Sequence, residues 1–132
     1  MKSVHTSGRR KRSIARVTLK EGKGIVRINS MLLDHYQPNM SRMKIMEPLM
    51  LAPEVSKKVN INVDVHGGGF QSQTDAIRLA IARAIVQYSK DMSLRQRFIE
   101  YDRNLIIADI RHTEASKPND SKPRASRQKS YR

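Results

Sequence analysis

Two short segments of this chain carry residue types that could bind an anion. Residues 9–12 are four consecutive basic side chains, and no acidic residue occurs in the first twenty positions. Residues 67–69 are three glycines before a predicted helix, where backbone N–H groups could face a phosphate at the positive end of the helix dipole. A basic run can also be a solvated edge or a localisation signal, but Arg16 and Lys20 continue this one on a predicted strand. Phosphate contact is therefore the favoured interpretation.

The glycine triplet has three interpretations: a tight connection from strand to helix, close approach to an RNA backbone, and a mononucleotide site. The first two are compatible with each other. The third is disfavoured, because the triplet lacks both the Gly-Lys-Ser/Thr ending of a nucleoside-triphosphate loop and the glycine spacing of a dinucleotide fold. A small kinase that uses the triplet is the enzymatic alternative.

The rest of the sequence lacks the patterns of a catalytic or metal site. The four histidines are scattered, and none stands with a carboxylate or a second histidine at metal-ligand spacing. The absence of cysteine excludes disulfides and thiolate ligands and is compatible with a reducing compartment such as the cytoplasm. No apolar run approaches the roughly 18 residues of a membrane helix, and no secretory signal is recognisable. We expect no enzymatic activity, cofactor, metal, membrane partner or small-molecule substrate.

The charge of the chain is concentrated at its two ends. The formal net charge is +14, with 26 lysines and arginines against 12 acidic residues. Residues 1–20 carry +7 and residues 111–132 carry +5, which leaves +2 for the segment between them. An almost neutral body with two cationic extensions predicts a polyanionic partner.

Alternating polar and apolar residues predict the strands that would position these segments. Residues 13–20 and 25–29 both alternate, and Gly22 and Gly24 between them favour a tight hairpin that pairs the two strands. The clearest alternation covers residues 59–66. Two shorter apolar segments are candidates for further strands, residues 31–33 and 105–107.

Apolar stripes at helical spacing predict three helices. The first stripe consists of Met40, Met43, Met46 and Met50, with Ile45 and Leu49 beside them. We expect it to pack in the core, with Pro48 ending or kinking the helix. Ser72 is the expected N-cap of a second helix with an apolar stripe over residues 76–88, and residues 93–101 form a shorter third helix. Strands and helices together predict a two-layer α+β domain over residues 1–110.

Residues 111–132 differ in composition from the predicted domain. Lys, Arg, Ser, Pro and Asn predominate, and almost no apolar side chain is available to offset the entropy cost of ordering. We expect an extended basic tail that becomes ordered on a partner. Fully extended, 22 residues reach roughly 70 Å at about 3.3 Å per residue.

Several motifs, in their order and spacing, resemble the universal ribosomal protein S-nine family of the small ribosomal subunit. They are Thr6-Ser7-Gly8-Arg9-Arg10-Lys11, Ile14-Ala15-Arg16, Glu21-Gly22-Lys23-Gly24, Glu47-Pro48-Leu49, Gly67-Gly68-Gly69-Phe70, Ala76-Ile77-Arg78, Tyr101-Asp102-Arg103 and Gln128-Lys129-Ser130-Tyr131-Arg132. The glycine triplet with its helix and the Gln-Lys-Ser-Tyr-Arg motif are the most specific. The latter is similar to the archaeal and eukaryotic branch.

The resemblance implies a fold and partners that periodicity does not reveal. The implied fold is a two-layer sheet with helices and a left-handed βαβ crossover, similar to domain two of ribosomal protein S-five. The implied partners are small-subunit ribosomal RNA, other proteins of the subunit head, and the anticodon stem-loop of transfer RNA in the peptidyl site, in the cytoplasm. The family places the residue matching Arg132 nearest that stem-loop.

Two sets of binding residues follow from the charge pattern and the resemblance. The expected ribosomal RNA contacts are Arg9, Arg10, Lys11, Arg12, Arg16, Gly67, Gly68, Gly69, Lys122, Arg124 and Arg127. The expected tail residues near transfer RNA are Lys129, Tyr131 and Arg132. The charge pattern alone fits a free RNA chaperone or a basic subunit of an RNA-processing enzyme equally well.

The chain departs from the family pattern at a few positions. The family often has Asp-Pro-Arg-Arg where this chain has Asp109-Ile110-Arg111-His112, so the tail has a different exit. Ser126 stands where relatives commonly have a basic residue, and Ser30 replaces a frequent glycine. We therefore expect no RNA contact from Ser126.

Overall fold

The computed structural model describes residues 3–131, which form a five-stranded sheet and four α-helices. The strands are β1 (Ser3–Arg10), β2 (Ser13–Glu21), β3 (Val26–Ile28), β4 (Met31–Leu32) and β5 (Val59–His66). The helices are α1 (Asn39–Leu51), α2 (Pro53–Ser56), α3 (Phe70–Ser89) and α4 (Met92–Tyr101), and two 3-10 turns cover Leu33–His35 and Arg103–Leu105. The α+β class predicted from the sequence is confirmed.

The strand order in the sheet is β1-β2-β5-β3-β4. β2 pairs antiparallel with both β1 and β5, and β3 pairs parallel with β5 and antiparallel with β4. The chain from β3 to β5, which contains α1 and α2, is therefore a crossover connection between parallel strands. The left hand of this crossover stays a prediction of the family resemblance.

The predicted hairpin between β2 and β3 is wrong, because β5 lies between these strands. The Asn60 side chain at the start of β5 accepts hydrogen bonds from the N–H groups of Lys23 and Ile25, at 2.9 and 3.1 Å. Asn60 leaves no space for a side chain at Gly22, since an added Cβ would lie 2.2 Å from Asn60 Cγ. The glycine-containing segment therefore wraps the start of β5 instead of forming a tight turn.

A tight hairpin joins β1 to β2 instead. Arg10 pairs with Ser13, so Lys11 and Arg12 alone form the turn, and Lys11 has a φ of 52°. Sequence patterning does not predict β1, because Val4 is its one branched apolar residue on the side that faces the core. The basic run is thus part of the sheet and not a segment preceding it.

α3 packs across β1, β2 and β5 and contributes more buried apolar residues than any other single element. As predicted, its stripe of small and branched residues is buried: Ala76, Ile77, Ala80, Ile81, Ala84 and Ile85. α1 and α4 pack beside α3, and α4 contributes the buried side chains of Leu94 and Phe98. Helices therefore cover one face of the sheet, as expected for a two-layer domain.

The prediction that the methionine stripe of α1 packs in the core is wrong for three of its four residues, because only Met46 packs against the core. Ser41, Ile45 and Pro48 form the buried face of the helix, whereas Met43 and Met50 are exposed on its opposite side. The helical spacing was right, but both faces of α1 carry apolar residues, so spacing alone cannot choose the buried one. α1 also continues for three residues beyond Pro48.

The predicted strand at residues 105–107 is also wrong. The chain forms a 3-10 turn here, and the Asp102 carboxylate accepts the N–H of Asn104 at 2.9 Å. The guanidinium of Arg83 on α3 donates to the carbonyl of Ile106 at 3.0 Å. Side chains therefore satisfy backbone groups that a strand partner would otherwise satisfy.

Gly8 of β1 lies where the backbone of α3 approaches the sheet closely. An added Cβ would lie 2.3 Å from the backbone oxygen of Ala76 and 2.8 Å from the backbone nitrogen of Ala80. We therefore expect Gly8→Ala to lower the free energy of unfolding by about 1–3 kcal/mol, the usual cost of overpacking. Denaturant unfolding followed by circular dichroism measures this. Gly69→Ala is the matched control, because a Cβ there meets nothing within 4 Å, and an equal loss in both variants would contradict the explanation.

Candidate nucleic-acid interface

The basic run occupies the end of β1 and the turn to β2. Arg9, Lys11 and Arg12 are exposed, whereas the side chain of Arg10 is only 15% exposed. Alternation along β1 explains the difference, since Arg9 points to the open face of the sheet and Arg10 to the side of α3. On that side Arg10 Nε lies 3.9 Å from Asp75 Oδ2 of α3. Three of the four predicted cations are thus presented to solvent.

The sheet face opposite α3 is polar and carries further basic side chains. Arg16 and Lys20 of β2 and Arg27 of β3 are exposed on this face, because each alternates with buried residues of its strand. The register places Arg16 directly opposite Asp64, which reduces the positive charge locally. Arg27 was missed by the sequence-based prediction, although its position between two buried residues of a strand carries the same signal as Arg16.

The first two glycines of the triplet pack against the turn between β1 and β2. Gly67 and Gly68 have φ values of 79° and 63°. An added Cβ would lie 2.5 Å from the carbonyl oxygen of Arg12 at Gly67, and 2.3 Å from Ser13 Oγ at Gly68. The Ser13 hydroxyl also donates to the Gly67 carbonyl at 2.8 Å. This geometry supports the interpretation of the triplet as a tight connection and gives no support to a mononucleotide site. Within the triplet, only Gly69 is left open to an anion.

The beginning of α3 lies at the same place. The helix begins at Phe70 with Gly69 as its N-cap, so the predicted N-cap Ser72 falls inside the first turn, and no side chain caps the helix. The first N–H groups of a helix lack intrahelical partners and favour a negative charge. Phe70 is 57% exposed beside them, and an exposed aromatic ring can stack on an RNA base. Phe70 was missed, because residue type does not distinguish it from a core phenylalanine.

The two arginines of α3, Arg78 and Arg83, have partners within the protein. Arg78 Nη1 donates to Asp102 Oδ2 at 2.8 Å, and Arg78 also pairs with Glu47 of α1. Burial lowers the pKa of Arg78, but the hydrogen bond to Asp102 and the charge of Glu47 outweigh burial, so that the pKa is raised. Arg83 donates to the Ser7 carbonyl of β1 at 3.0 Å. These two cations therefore hold elements of the body together instead of facing solvent.

The described part of the predicted tail, residues 111–131, contains neither helix nor strand and is largely exposed. Arg124 Nε donates to Glu114 Oε2 at 3.0 Å, and Arg127 Nε lies 3.6 Å from Asp120 Oδ1. Both arginine side chains remain exposed, and exposed ion pairs contribute little to stability. Other anions can therefore replace these carboxylates at small cost.

Three other predicted tail contacts, Lys122, Lys129 and Tyr131, are exposed as well. Arg132 lies outside the described residues. The division of the chain into a domain of residues 1–110 and a tail of residues 111–132 stays a prediction, as do all the roles in RNA binding.

The tail begins beside the basic turn. Arg10 Nη1 donates to the carbonyl oxygen of Arg111 at 3.2 Å, although 101 positions separate the two residues. One open cleft is lined by Arg10, Lys11, Arg111, His112 and Thr113. The two cationic segments of the sequence therefore start from the same end of the sheet, next to the glycine triplet.

Residues 3–131 lack the features of two other classes of site. No group of His, Asp and Glu side chains there is arranged to hold a metal ion. None of the helices formed by these residues is both long and apolar enough to cross a membrane.

Comparison with known proteins adds an independent observation. The model of the family described as ribosomal protein S9/S16 matches residues 8–132. Proteins called small ribosomal subunit protein uS9 in Methanococcus maripaludis (strain C7) and Methanococcus vannielii are each 48% identical to this chain over 134 aligned residues. In both cases the match covers 100% of this chain and 100% of the relative.

Proposed function

Because this chain belongs to the ribosomal protein S9/S16 family, and is thus a structural component of the small ribosomal subunit in the cytoplasm, we propose that it binds ribosomal RNA at three adjoining surfaces. They are the basic turn (Arg9, Lys11 and Arg12), the open sheet face (Arg16, Lys20 and Arg27), and the tail. The family resemblance drawn from the sequence, including its archaeal type, is confirmed. Its relatives are structural proteins of the ribosome, so the protein is not an enzyme.

The single observation that carries the proposal is the meeting of the basic turn, the start of α3 and the start of the tail at one end of the sheet. Arg12 contacts Gly67, and Arg10 contacts Arg111. RNA phosphates that approach this end meet exposed cations and the positive end of a helix dipole together. The protein thereby neutralises phosphates that would otherwise repel one another.

Each surface has a distinct role in this proposal. The basic turn and the start of α3 bind the phosphate backbone, with Gly69 admitting it closely and Phe70 stacking on an unpaired base. The open sheet face supplies spaced arginine side chains, which can pair bidentately with phosphates. Lys122, Arg124 and Arg127 then exchange their solvent or carboxylate partners for phosphates of the same RNA.

We further propose that the end of the tail reaches the anticodon stem-loop of transfer RNA in the peptidyl site. Support comes from the exposure of Lys129 and Tyr131, from the reach of the tail, and from the family motif that ends in Arg132. A tail that lacks a core becomes ordered where RNA surrounds it, because phosphate contacts offset the entropy that is lost.

Crosslinking in assembled subunits tests the proposal. A photoreactive residue at position 11 should crosslink to small-subunit ribosomal RNA in particles washed at high salt, with the protein present at one copy per subunit. The matched control places the same residue at Lys57, an exposed lysine near the opposite end of β5. Loss of the protein in the high-salt wash, with a shallow and sequence-independent salt profile, would favour the RNA chaperone alternative. Equal crosslinking from both positions would contradict the assignment of the basic turn.

A further inference from the structure

Arg10 differs from the other residues of the basic run in what it contacts. Its guanidinium lies 3.4 Å from Asp109 Oδ2 and donates to the carbonyl oxygen of Arg111. On its other side it faces Asp75 of α3 at 3.9 Å. Arg10 therefore links the sheet, α3 and the segment that leads into the tail.

The segment on the other side of this contact, residues 109–111, is here called the tail root. Within it the Asp109 carboxylate accepts the backbone N–H of Arg111 at 3.0 Å and the Arg111 guanidinium at 2.7 Å. The side chain of Asp109 is only 14% exposed, although the neighbouring residues Ile110 and Arg111 are exposed. The tail root is thus a local turn with one carboxylate facing the body.

Carboxylates of the protein already surround Arg10. The cavity next to its side chain, of about 220 Å³, is lined by basic residues but also by Asp75, Asp102 and Asp109. A phosphate entering here would face three carboxylates and would have to displace Arg10 from existing partners. The cavity as a whole has more cations than carboxylates, but Arg10 itself is already paired with Asp75 and Asp109. Such pairing fits an internal link better than an anion site.

We propose that Arg10 is the positioning residue of the tail: it fastens the tail root to β1 and α3 and so sets the direction in which the tail leaves the body, without contacting RNA itself. Fixing the root reduces the number of residues that must be ordered when the rest of the tail binds. The proposal replaces the predicted phosphate contact of Arg10 by a contact within the protein. It rests on the proposed function of the tail for its purpose, but its geometry does not involve RNA.

Nuclear magnetic resonance of the full-length free protein tests the link directly. In the unmodified protein the amides of residues 109–111 should show heteronuclear NOE values like those of the body, followed by a decrease further along the tail. Arg10→Ala should lower these values to those of the tail and accelerate exchange of the Arg111 amide on the order of tenfold. Arg10→Lys should loosen the root as well, because one ammonium cannot replace a planar fork that serves several acceptors.

A second measurement separates positioning from RNA binding. The dependence of affinity on salt is measured with protein-free small-subunit ribosomal RNA as the probe. Arg12→Ala, the matched control in the same run, should lower the slope by about 0.7–0.9 for one lost phosphate contact, whereas Arg10→Ala should leave it unchanged. An ordered root in Arg10→Ala, or a loss of slope equal to that of Arg12→Ala, would overturn the proposal.

A further variant, Asp109→Asn, keeps the proposal testable if the Arg10 variants misfold. It removes the charge on the other side of the link, in a segment outside the sheet, and should loosen the root without changing the salt slope. An unchanged root in Asp109→Asn would also overturn the proposal. Because the root is measured without RNA, this outcome is distinguishable from a failure of the proposed RNA contacts, which would appear as an unchanged slope in Arg12→Ala.

Discussion

Replacing Arg9, Lys11 and Arg12 together by alanine should sharply reduce the affinity for protein-free small-subunit ribosomal RNA and the incorporation of the protein into subunits. These exposed cations lie at the end of the sheet where α3 and the tail begin. If each contacts one phosphate, the slope of log affinity against log salt should fall by about 2.1–2.7 in total, since each lost contact removes roughly 0.7–0.9. Filter binding over a series of potassium chloride concentrations measures the slope, and sedimentation measures incorporation.

The matched control removes the same charge from the opposite end of the sheet. Lys23, Lys57 and Lys58 are exposed and lie around the start of β5, whereas the basic turn lies near its end. Their triple alanine variant should keep most of the slope. Equal losses in the two variants would mean that net charge, and not the basic turn, determines the affinity. Thermal unfolding of both variants tests whether either loss reflects misfolding.

Deletion of residues 129–132 should leave subunit assembly intact and weaken transfer RNA binding in the peptidyl site. The deletion removes Lys129, Tyr131 and Arg132, hence two fixed cations and one aromatic ring, and touches no element of the described fold. Loss of even one charge-assisted contact gives a decrease of about tenfold, equivalent to about 1.4 kcal/mol. Binding of labelled transfer RNA to purified subunits measures the loss, and start-codon selection should loosen in parallel.

The control for this deletion changes one neutral residue within the deleted stretch and one next to it. Replacing Gln128 and Ser130 by alanine keeps the length and charge of the tail and should preserve transfer RNA binding. If the deletion leaves both binding and start-codon selection unchanged, the tail does not act at the peptidyl site. If it prevents assembly instead, the residues serve ribosomal RNA, and their placement near transfer RNA is wrong.

The sequence pattern predicted an element correctly where its apolar residues all lie on one face and that face is buried. The alternation over residues 59–66 predicts β5 at its observed bounds, and the stripe of α3 from Ala76 to Ile85 is buried as expected. It failed for α1, because both faces of that helix carry apolar side chains. It also failed for β1, whose inward positions include Gly8, a residue that signals close packing only when α3 is in place.

The candidate interface shows the same division. Clustered basic residues and a glycine triplet are visible in the sequence, and so is the family resemblance. That Gly67 and Gly68 serve packing against Arg12 and Ser13 is visible only in the fold. Arg27, by contrast, could have been found from the sequence, because it alternates with Val26 and Ile28 as Arg16 does with its own neighbours.

The sequence by itself determined the α+β class, the family and the concentration of positive charge at the two ends of the chain, because these depend on composition, local period and motif spacing. Tertiary structure decided which strands are neighbours and which cations face solvent. β5 separates β2 from β3. Arg10 lies on the side of α3, where Asp75 and Asp109 are its partners, whereas its neighbours in the basic run are exposed. The physical reason is that a period assigns a side chain to a face of its own element, whereas pairing and burial depend on residues far away in the chain.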